Sequence, residues 1–142
     1  MKLTACVAFN GDCAEAFKAY EKILGGKIVM MVKNSEIPAD TQNPTVPPDF
    51  IVHARLDAGK GTLMGMDYPP DKYQQARCTF VNASPETVAE AERMFHALAD
   101  GGSVFMPLMP TFFSHAFAML TDRYGVQWMI NCDKSETMME AR

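Results

Sequence analysis

Apolar and polar positions along this chain change period several times, and the changes mark its elements. A short β-type run from Leu3 to Phe9 gives way at Asn10-Gly11-Asp12 to a helical spacing, with Cys13, Ala16, Phe17, Tyr20, Ile23 and Leu24 on one face. Asp12 and Glu15 stand at capping-box spacing at its start, and Gly25-Gly26 stops it, because glycine enters the left-handed cap without steric cost. A second strand is predicted over Lys27 to Val32. The pattern then dissolves from Asn34 to Asp49 into prolines, acids and amides, a loop of about 16 residues that suits a lid, a dimer-contact arm or a disordered segment. Strands resume at Phe50 to Leu56 and Gly61 to Met66, with Asp57-Ala58-Gly59-Lys60 as the hairpin turn.

The same order then recurs. After a polar linker at Tyr68 to Gln75, a strand is predicted over Ala76 to Val81. A helix follows, with Ser84 as N-cap, Pro85 at its first position and Val88, Ala91, Phe95 and Leu98 as its stripe. Gly101-Gly102 closes it. Ser103 to Met106 is a short strand, Pro107 to Ser114 a compact loop, and His115 to Leu120 and Val126 to Cys132 the last two strands, with Trp128 in the core. The unit βαβββ is thus written twice, which implies a pseudo-twofold fold with one cavity between related halves. The expected organisation is a single domain over 1–142, with a first module at 1–68, a linker at 69–75, a second module at 76–133 and a frayed polar tail at 134–142.

Composition narrows the function classes. With 142 residues, 48% hydrophobic and 21% charged, the chain can bury a sizeable core. A net charge of −4 argues against a nucleic-acid partner or an anionic membrane surface. No apolar run approaches the roughly 18 residues of a membrane span, and Met1-Lys2-Leu3 leads into a strand rather than a signal peptide. The four cysteines, Cys6, Cys13, Cys78 and Cys132, form no paired motif, which fits a reduced cytoplasmic setting. The twelve methionines serve either as core packing or as the lining of a plastic apolar pocket.

Several motifs carry a family resemblance. Phe9-Asn10-Gly11-Asp12-Cys13-Ala14-Glu15-Ala16, Leu24-Gly25-Gly26, His53-Ala54-Arg55-Leu56 and Thr121-Asp122-Arg123-Tyr124-Gly125-Val126-Gln127-Trp128-Met129-Ile130-Asn131 resemble the PhnB-like proteins. These belong to the vicinal-oxygen-chelate superfamily, with glyoxalase I, bleomycin-resistance proteins and extradiol dioxygenases. The resemblance spans about Leu3 to Cys132. It implies an α+β fold of two βαβββ modules forming a curved, half-barrel-like mixed sheet with helices on the convex side. It also implies a pocket in the concavity and a homodimer. PhnB-like proteins are sometimes labelled ubiquinone-pathway methyltransferases, but the chain lacks the Gly-rich strand-to-helix loop and following acid that a nucleotide-like methyl donor needs.

Superfamily metalloenzymes hold a divalent ion through His or Gln on the first strand of each module and Glu near the end of each. Matched by helix and turn landmarks, those positions fall on Ala5, Gly65, Ala76 and Met129, with Gln75 one residue from the third. None supplies the imidazole or carboxylate that such a site needs, so neither a metal nor another cofactor is expected. Strand alternation places His53 and Arg55, then Leu63, Gly65 and Asp67, then His115, Phe117 and Met119, then Gln127, Met129 and Asn131 on the concave side. His53 and His115 occupy corresponding positions in the two copies. With Arg55 they are the candidate catalytic residues, although each histidine can equally hydrogen-bond backbone or a dimer partner. Arg55 suits a carboxylate or phosphate, or pairs with Asp67 or a loop acid. Leu63, Asp67, Phe112, Phe117, Met119, Gln127, Met129 and Asn131 are the candidate ligand-binding residues. Cys13, at a helix N-terminus, reads as packing or as a thiol with raised thiolate character. The expected function is metal-free binding of an apolar or mildly anionic small molecule. The alternative is a metal-independent isomerase or lyase using His53 or His115 as base and Arg55 to steady an oxyanion.

Overall fold

The computed structural model describes residues 1–134, and the chain divides into two compact units, Met1–Gln74 and one beginning at Gln75. The first holds β1 (Cys6–Phe9), α1 (Cys13–Leu24), β2 (Lys27–Lys33), β3 (Ile51–Ala58) and β4 (Gly61–Asp67), with its sheet in the order β1-β4-β3-β2. The second holds β5 (Val81–Ala83), α2 (Val88–Ala99), β6 (Ser103–Met109), β7 (Ser114–Thr121) and β8 (Gln127–Asp133), in the order β5-β8-β7-β6. In both, the first strand pairs parallel to the fourth and the other neighbours are antiparallel. The fold is therefore α+β, two four-stranded mixed sheets each with one helix, in the βαβββ order predicted.

Helix α1 buries Cys13, Ala16, Phe17 and Tyr20 against its sheet, the face set by the helical spacing of these residues. The Phe17 ring sits 6.0 Å from Phe9, edge-on, and 5.9 Å from Tyr20, so three aromatics form the core of the unit. Each contributes about 2–3 kcal/mol by burial. Gly65 of β4 lies beneath Phe17: a Cβ there would come within 2.5 Å of the Phe17 Cε1 atom. The N-terminus of α1 is not capped as expected. Asp12 lies at φ −114° and ψ 24° and gives no side-chain cap bond. Instead the Cys13 N–H donates to Asp67 Oδ1 at 3.0 Å, and Asp67 Oδ2 accepts the Ile51 N–H at 2.9 Å. Asp67 reaches both because Phe9, just before the helix, is its register partner.

The paired glycines act in the same way in both units. A Cβ on Gly26 would meet the Asp57 carbonyl oxygen at 2.6 Å, and one on Gly102 would overlap the Thr121 carbonyl oxygen. The start of β2 thus lies hard against the end of β3, and β6 against β7, with Lys27 opposite Asp57 and Ser103 opposite Thr121. One step on, both ladders carry an irregularity, between Ile28 and Met30 and between Val104 and Met106. These shared landmarks align the copies: Met30 with Met106, Arg55 with Met119, His53 with Phe117, Met64 with Met129 and Met66 with Asn131.

The second unit departs from expectation at its start. Strand β5 covers Val81–Ala83 rather than Ala76 to Val81, and α2 begins at Val88 with Thr87 as its N-cap. Thr87 is extended and its Oγ1 accepts the Glu90 N–H at 3.2 Å, whereas Ser84 Oγ accepts from Asn82 Nδ2 at 2.8 Å and is not a cap. Strand β6 continues through Pro107 to Met109, which an edge strand permits because proline's missing N–H faces no partner there. Trp128 is buried, and its Nε1 donates to Asp122 Oδ2 at 2.9 Å, while Asp122 Oδ1 accepts the N–H groups of Tyr124 and Val126.

The segment between β2 and β3 is ordered. It contains 3-10 turns at Asn34–Glu36 and Ala39–Thr41. Buried Asn34 clamps it, donating Nδ2 to the Asn43 carbonyl and accepting the Asn43 N–H on Oδ1 at 2.9 and 3.0 Å. The predicted polar tail lies outside the described residues apart from Lys134.

Asp67 gives the fold its sharpest test. Asp67→Ala leaves two buried N–H groups without an acceptor, at about 1–3 kcal/mol each, so the unfolding free energy is expected to drop by roughly 3–5 kcal/mol in urea titration. Asp67→Asn, which keeps the shape and one oxygen acceptor, is expected to lose about half of that. A loss under about 1 kcal/mol for the alanine variant contradicts the assignment.

Candidate functional site

Each sheet has a face toward its helix and a far face, and the ladders sort the side chains between them. Residues directly opposite across a ladder share a face. In the first unit Ala54 opposite Gly65 and Leu56 opposite Leu63 lie on the helix side, all buried or backing the helix. The far face then carries rows running across the strands. One is Cys6, Met64, Arg55 and Met30. A second contains Ala8 beside Met66, and His53 beside Val32. A third is Thr62, Asp57 and Lys27. In the second unit the corresponding rows are Asn82, Met129, Met119 and Met106, and then Asn131, Phe117 and Met109.

This corrects part of the sequence reading. His53, Arg55, Phe117, Met119, Gln127, Met129 and Asn131 stand on the far faces, but Leu63 and Asp67 do not. Leu63, Gly65 and Asp67 are the buried positions of β4, and Met64 and Met66 take the far side. A small Gly65 and a charged Asp67 imitate the polar half of an alternating strand. Gly65 is small because Phe17 occupies the space above it, and Asp67 is buried because two backbone donors satisfy it. Arg55 pairs with Asp57, Nε to Oδ1 at 3.3 Å, and not with Asp67. The two histidines are not counterparts either: register places His53 opposite Val32 and in correspondence with Phe117, while exposed His115 sits at the irregular start of the β7–β8 ladder, between Ser114 and Ala116.

Other candidates serve the fold. Gln127 Oε1 accepts the Thr79 N–H at 3.3 Å and is buried, tying down the stretch before β5. Phe112 is exposed. Its ring stacks edge-on against Phe113, which in turn covers Phe117 at 5.1 Å and helps bury it. Asn131, beside Phe117 in register, carries a buried Oδ1 with no hydrogen-bond partner among the described residues. Met30, Met64, Met66, Asn82, Met106 and Met109 were missed in the sequence, and pairing partners counted outward from Arg55 and Met119 would have found them.

The far faces also test the superfamily's metal. The far-face positions on the first and last strands are Cys6 and Met64 in one unit and Asn82 and Met129 in the other. Gly65, matched to the second ligand by landmarks, points to the helix. Two thioethers, an amide already donating to Ser84, and a thiol whose pKa burial raises do not form a hard-ligand set. Among the described residues no three His, Cys, Asp or Glu side chains gather as a metal cluster would require.

Paired βαβββ modules of this kind define the vicinal-oxygen-chelate fold. The structure of a glyoxylase/bleomycin resistance protein/dioxygenase domain from Frankia sp. EAN1pec, only 13% identical, superposes with a TM-score of 0.63 over 94% of this chain and 98% of that one. Within that class the chain belongs to the PhnB-like family, whose model, described as 3-demethylubiquinone-9 3-methyltransferase, matches residues 1–131. It is 31% identical to protein YjdN of Escherichia coli K12 across 96% of this chain and 98% of that protein. It is similar to protein PA1353 of Pseudomonas aeruginosa, with 42% identity and a TM-score of 0.85 over 94% of this chain and 98% of that one. The PhnB protein of Bacillus cereus follows at 26% and 0.76, over 92% and 98%. No described helix is long and apolar enough to cross a membrane.

Cys13 is not an activated thiol. Burial, and after it the nearby Asp67 carboxylate, push its pKa far above the ordinary 9.0. The unfolded chain therefore releases this proton above about pH 9 while the folded chain keeps it, so stability falls as pH rises past that point. Between about pH 8 and 10 the wild type is expected to lose about 1 kcal/mol more than Cys13→Ala in denaturant titrations, and equal losses contradict the assignment. The donor set makes a second prediction. Protein purified without chelator is expected to carry far less than stoichiometric Zn, Ni, Fe or Mn by elemental analysis. A full equivalent retained through desalting contradicts it.

Proposed function

We propose that the protein binds a small molecule against the far face of a sheet, without the superfamily's divalent metal. The observation that carries this reading is Asn131. Its Oδ1 is buried, has no partner among the described residues, and stands beside Phe117 on a face that also carries Met106, Met109, Met119 and Met129, with Asn82 and Gln127 as its other amides. A buried acceptor left unpaired costs about 1–3 kcal/mol. A ligand O–H or N–H would meet it. Methionines around such a point adapt to an apolar body of irregular shape, and few polar groups among apolar ones is the usual composition of a small-ligand site.

The family description names a methyltransferase, and the residues give that activity little footing. A donor held at a strand-to-helix turn needs free backbone donors there, and the first N–H of α1 is taken by Asp67. The isomerase or lyase alternative rests on His53 and Arg55, neighbours on one face of β3, and on His115; no observation favours proton transfer over binding. A homodimer belongs to the same proposal. Val104, Phe105, Met106 and Met109 leave an apolar edge exposed on β6, and sedimentation equilibrium gives the subunit number.

Asn131→Leu separates binding from stability. It is expected to leave the free protein as stable as wild type or about 1 kcal/mol more so, because an unpaired polar group is removed. The same change is expected to weaken saturable binding of anilinonaphthalene sulfonate, or of any co-purified compound, by roughly tenfold. Unchanged binding with lowered stability would mean that Asn131 serves the fold, and absence of saturable binding in the wild type removes the proposal.

A further inference from the structure

Across the three strands inside the first-strand pair Cys6 and Asn82, the corresponding rows of the two far faces match at two positions and differ at one. Met30 corresponds to Met106 and Met64 to Met129, while Arg55 stands where Met119 does. A guanidinium flanked by two methionines is an unfavourable replacement unless its charge has a use, since a cation near apolar surface gives up hydration.

The surroundings leave that charge partly open. Arg55 is 41% exposed, and its Nε donates to Asp57 Oδ1 at 3.3 Å. The same oxygen accepts the Thr62 hydroxyl at 3.0 Å, and Lys2 Nζ donates to Thr62 Oγ1 at 3.5 Å. The Thr62 hydroxyl, with Arg55 behind it, holds the Asp57 carboxyl below its ordinary value, so this acid stays ionised. Arg55 and Lys2 therefore share the field of one carboxylate, and Lys27 is its register partner on the neighbouring strand. The terminal Nη1 and Nη2 of Arg55 make no hydrogen bond to the described residues, and together they present the planar fork that receives a carboxylate through two parallel bonds.

We propose that the first unit carries an anion-recognition point at Arg55, and that its ligand class is an amphipathic carboxylate. The head pairs with the guanidinium, and the apolar body lies along Met30 and Met64 toward Val32 and Met66. This rests on the binding reading above and supplies the chemistry of its ligand. Asp57 holds the guanidinium in orientation through Nε and, as a like charge to the ligand, moderates its affinity.

Calorimetric titration with octanoate, octanol and octyltrimethylammonium tests it. Octanoate is expected to bind roughly tenfold more tightly than octanol, and the cation more weakly than either. Arg55→Met is expected to abolish the preference for octanoate over octanol. Arg55→Lys is expected to retain part of it, and Asp57→Asn to increase octanoate affinity a few-fold. Circular dichroism of each variant establishes that it folds. Equal binding of octanoate and octanol, or an Arg55→Met variant that keeps its preference, overturns the anion site while the binding reading stands. If none of the three probes binds but the naphthalene probe still does, the anion site alone is lost. If neither probe set binds, both proposals fall.

Discussion

The Asp67 carboxylate holds the first unit in register. It sits at the end of β4, is almost wholly buried, and accepts backbone protons from the start of α1 and the start of β3. Burial of a lone carboxylate is costly, but two backbone donors offset its lost hydration and leave neither donor orphaned. Because side chains alternate along a strand, fixing Asp67 on the helix side fixes every neighbour. Gly65 comes to lie under Phe17, and Met64 and Met66 turn to the far face. Across the ladder, Arg55 and His53 turn with them. A slip of one residue would bury the arginine and expose the leucines, so this one polar contact determines which chemistry the sheet can display.

The second unit reaches the same architecture by other contacts. Its register counterpart of Asp67 is Cys132, and the start of β7 is held instead by buried Ser114, whose hydroxyl bonds the carbonyls of Ala116 or Cys132 at 2.8 and 3.1 Å. Ile130 replaces Gly65. Asp122 moves the buried carboxylate to the β7–β8 turn, where it accepts two backbone N–H groups and the Trp128 indole. What both units keep is the second glycine of each pair, Gly26 and Gly102, where backbone crowds backbone and no side chain fits. Duplication thus preserved a steric constraint that only glycine meets and let the polar fastenings diverge.

That division explains how much was legible in the sequence. Helix stripes, glycine stops and strand runs are local patterns, and the repeated βαβββ order follows from them. The faces of β3, β7 and β8 follow from plain alternation of small apolar and larger polar or aromatic residues. The face of β4 was lost because Gly65 and Asp67 owe their places to Phe17, Cys13 and Ile51, partners distant in the chain. The shared His-Ala of His53-Ala54 and His115-Ala116 suggested a correspondence that the ladder irregularities shift by two residues. Strand β5 and the start of α2 moved because Thr87, not Ser84, had the extended backbone and free hydroxyl of a cap. The ordered 34–49 segment depends on a reciprocal Asn34–Asn43 pair that no periodicity encodes.

Aligned by register, the methionine rows also constrain what the far faces can recognise. Three of the four positions in each row are matched or nearly so in character. Cys6 answers Asn82, both small and able to hydrogen-bond, and the flanking methionines repeat. Thioethers pack against many shapes and select weakly among them. Discrimination must therefore come from the positions where the rows differ. Those are Arg55 against Met119, with the charge partly engaged by Asp57, His53 against Phe117, and Met66 against the neutral amide Asn131. On the proposed reading one face suits an anion and the other a neutral hydrogen-bonding group, so the two sheets are chemically unlike where each would meet a ligand.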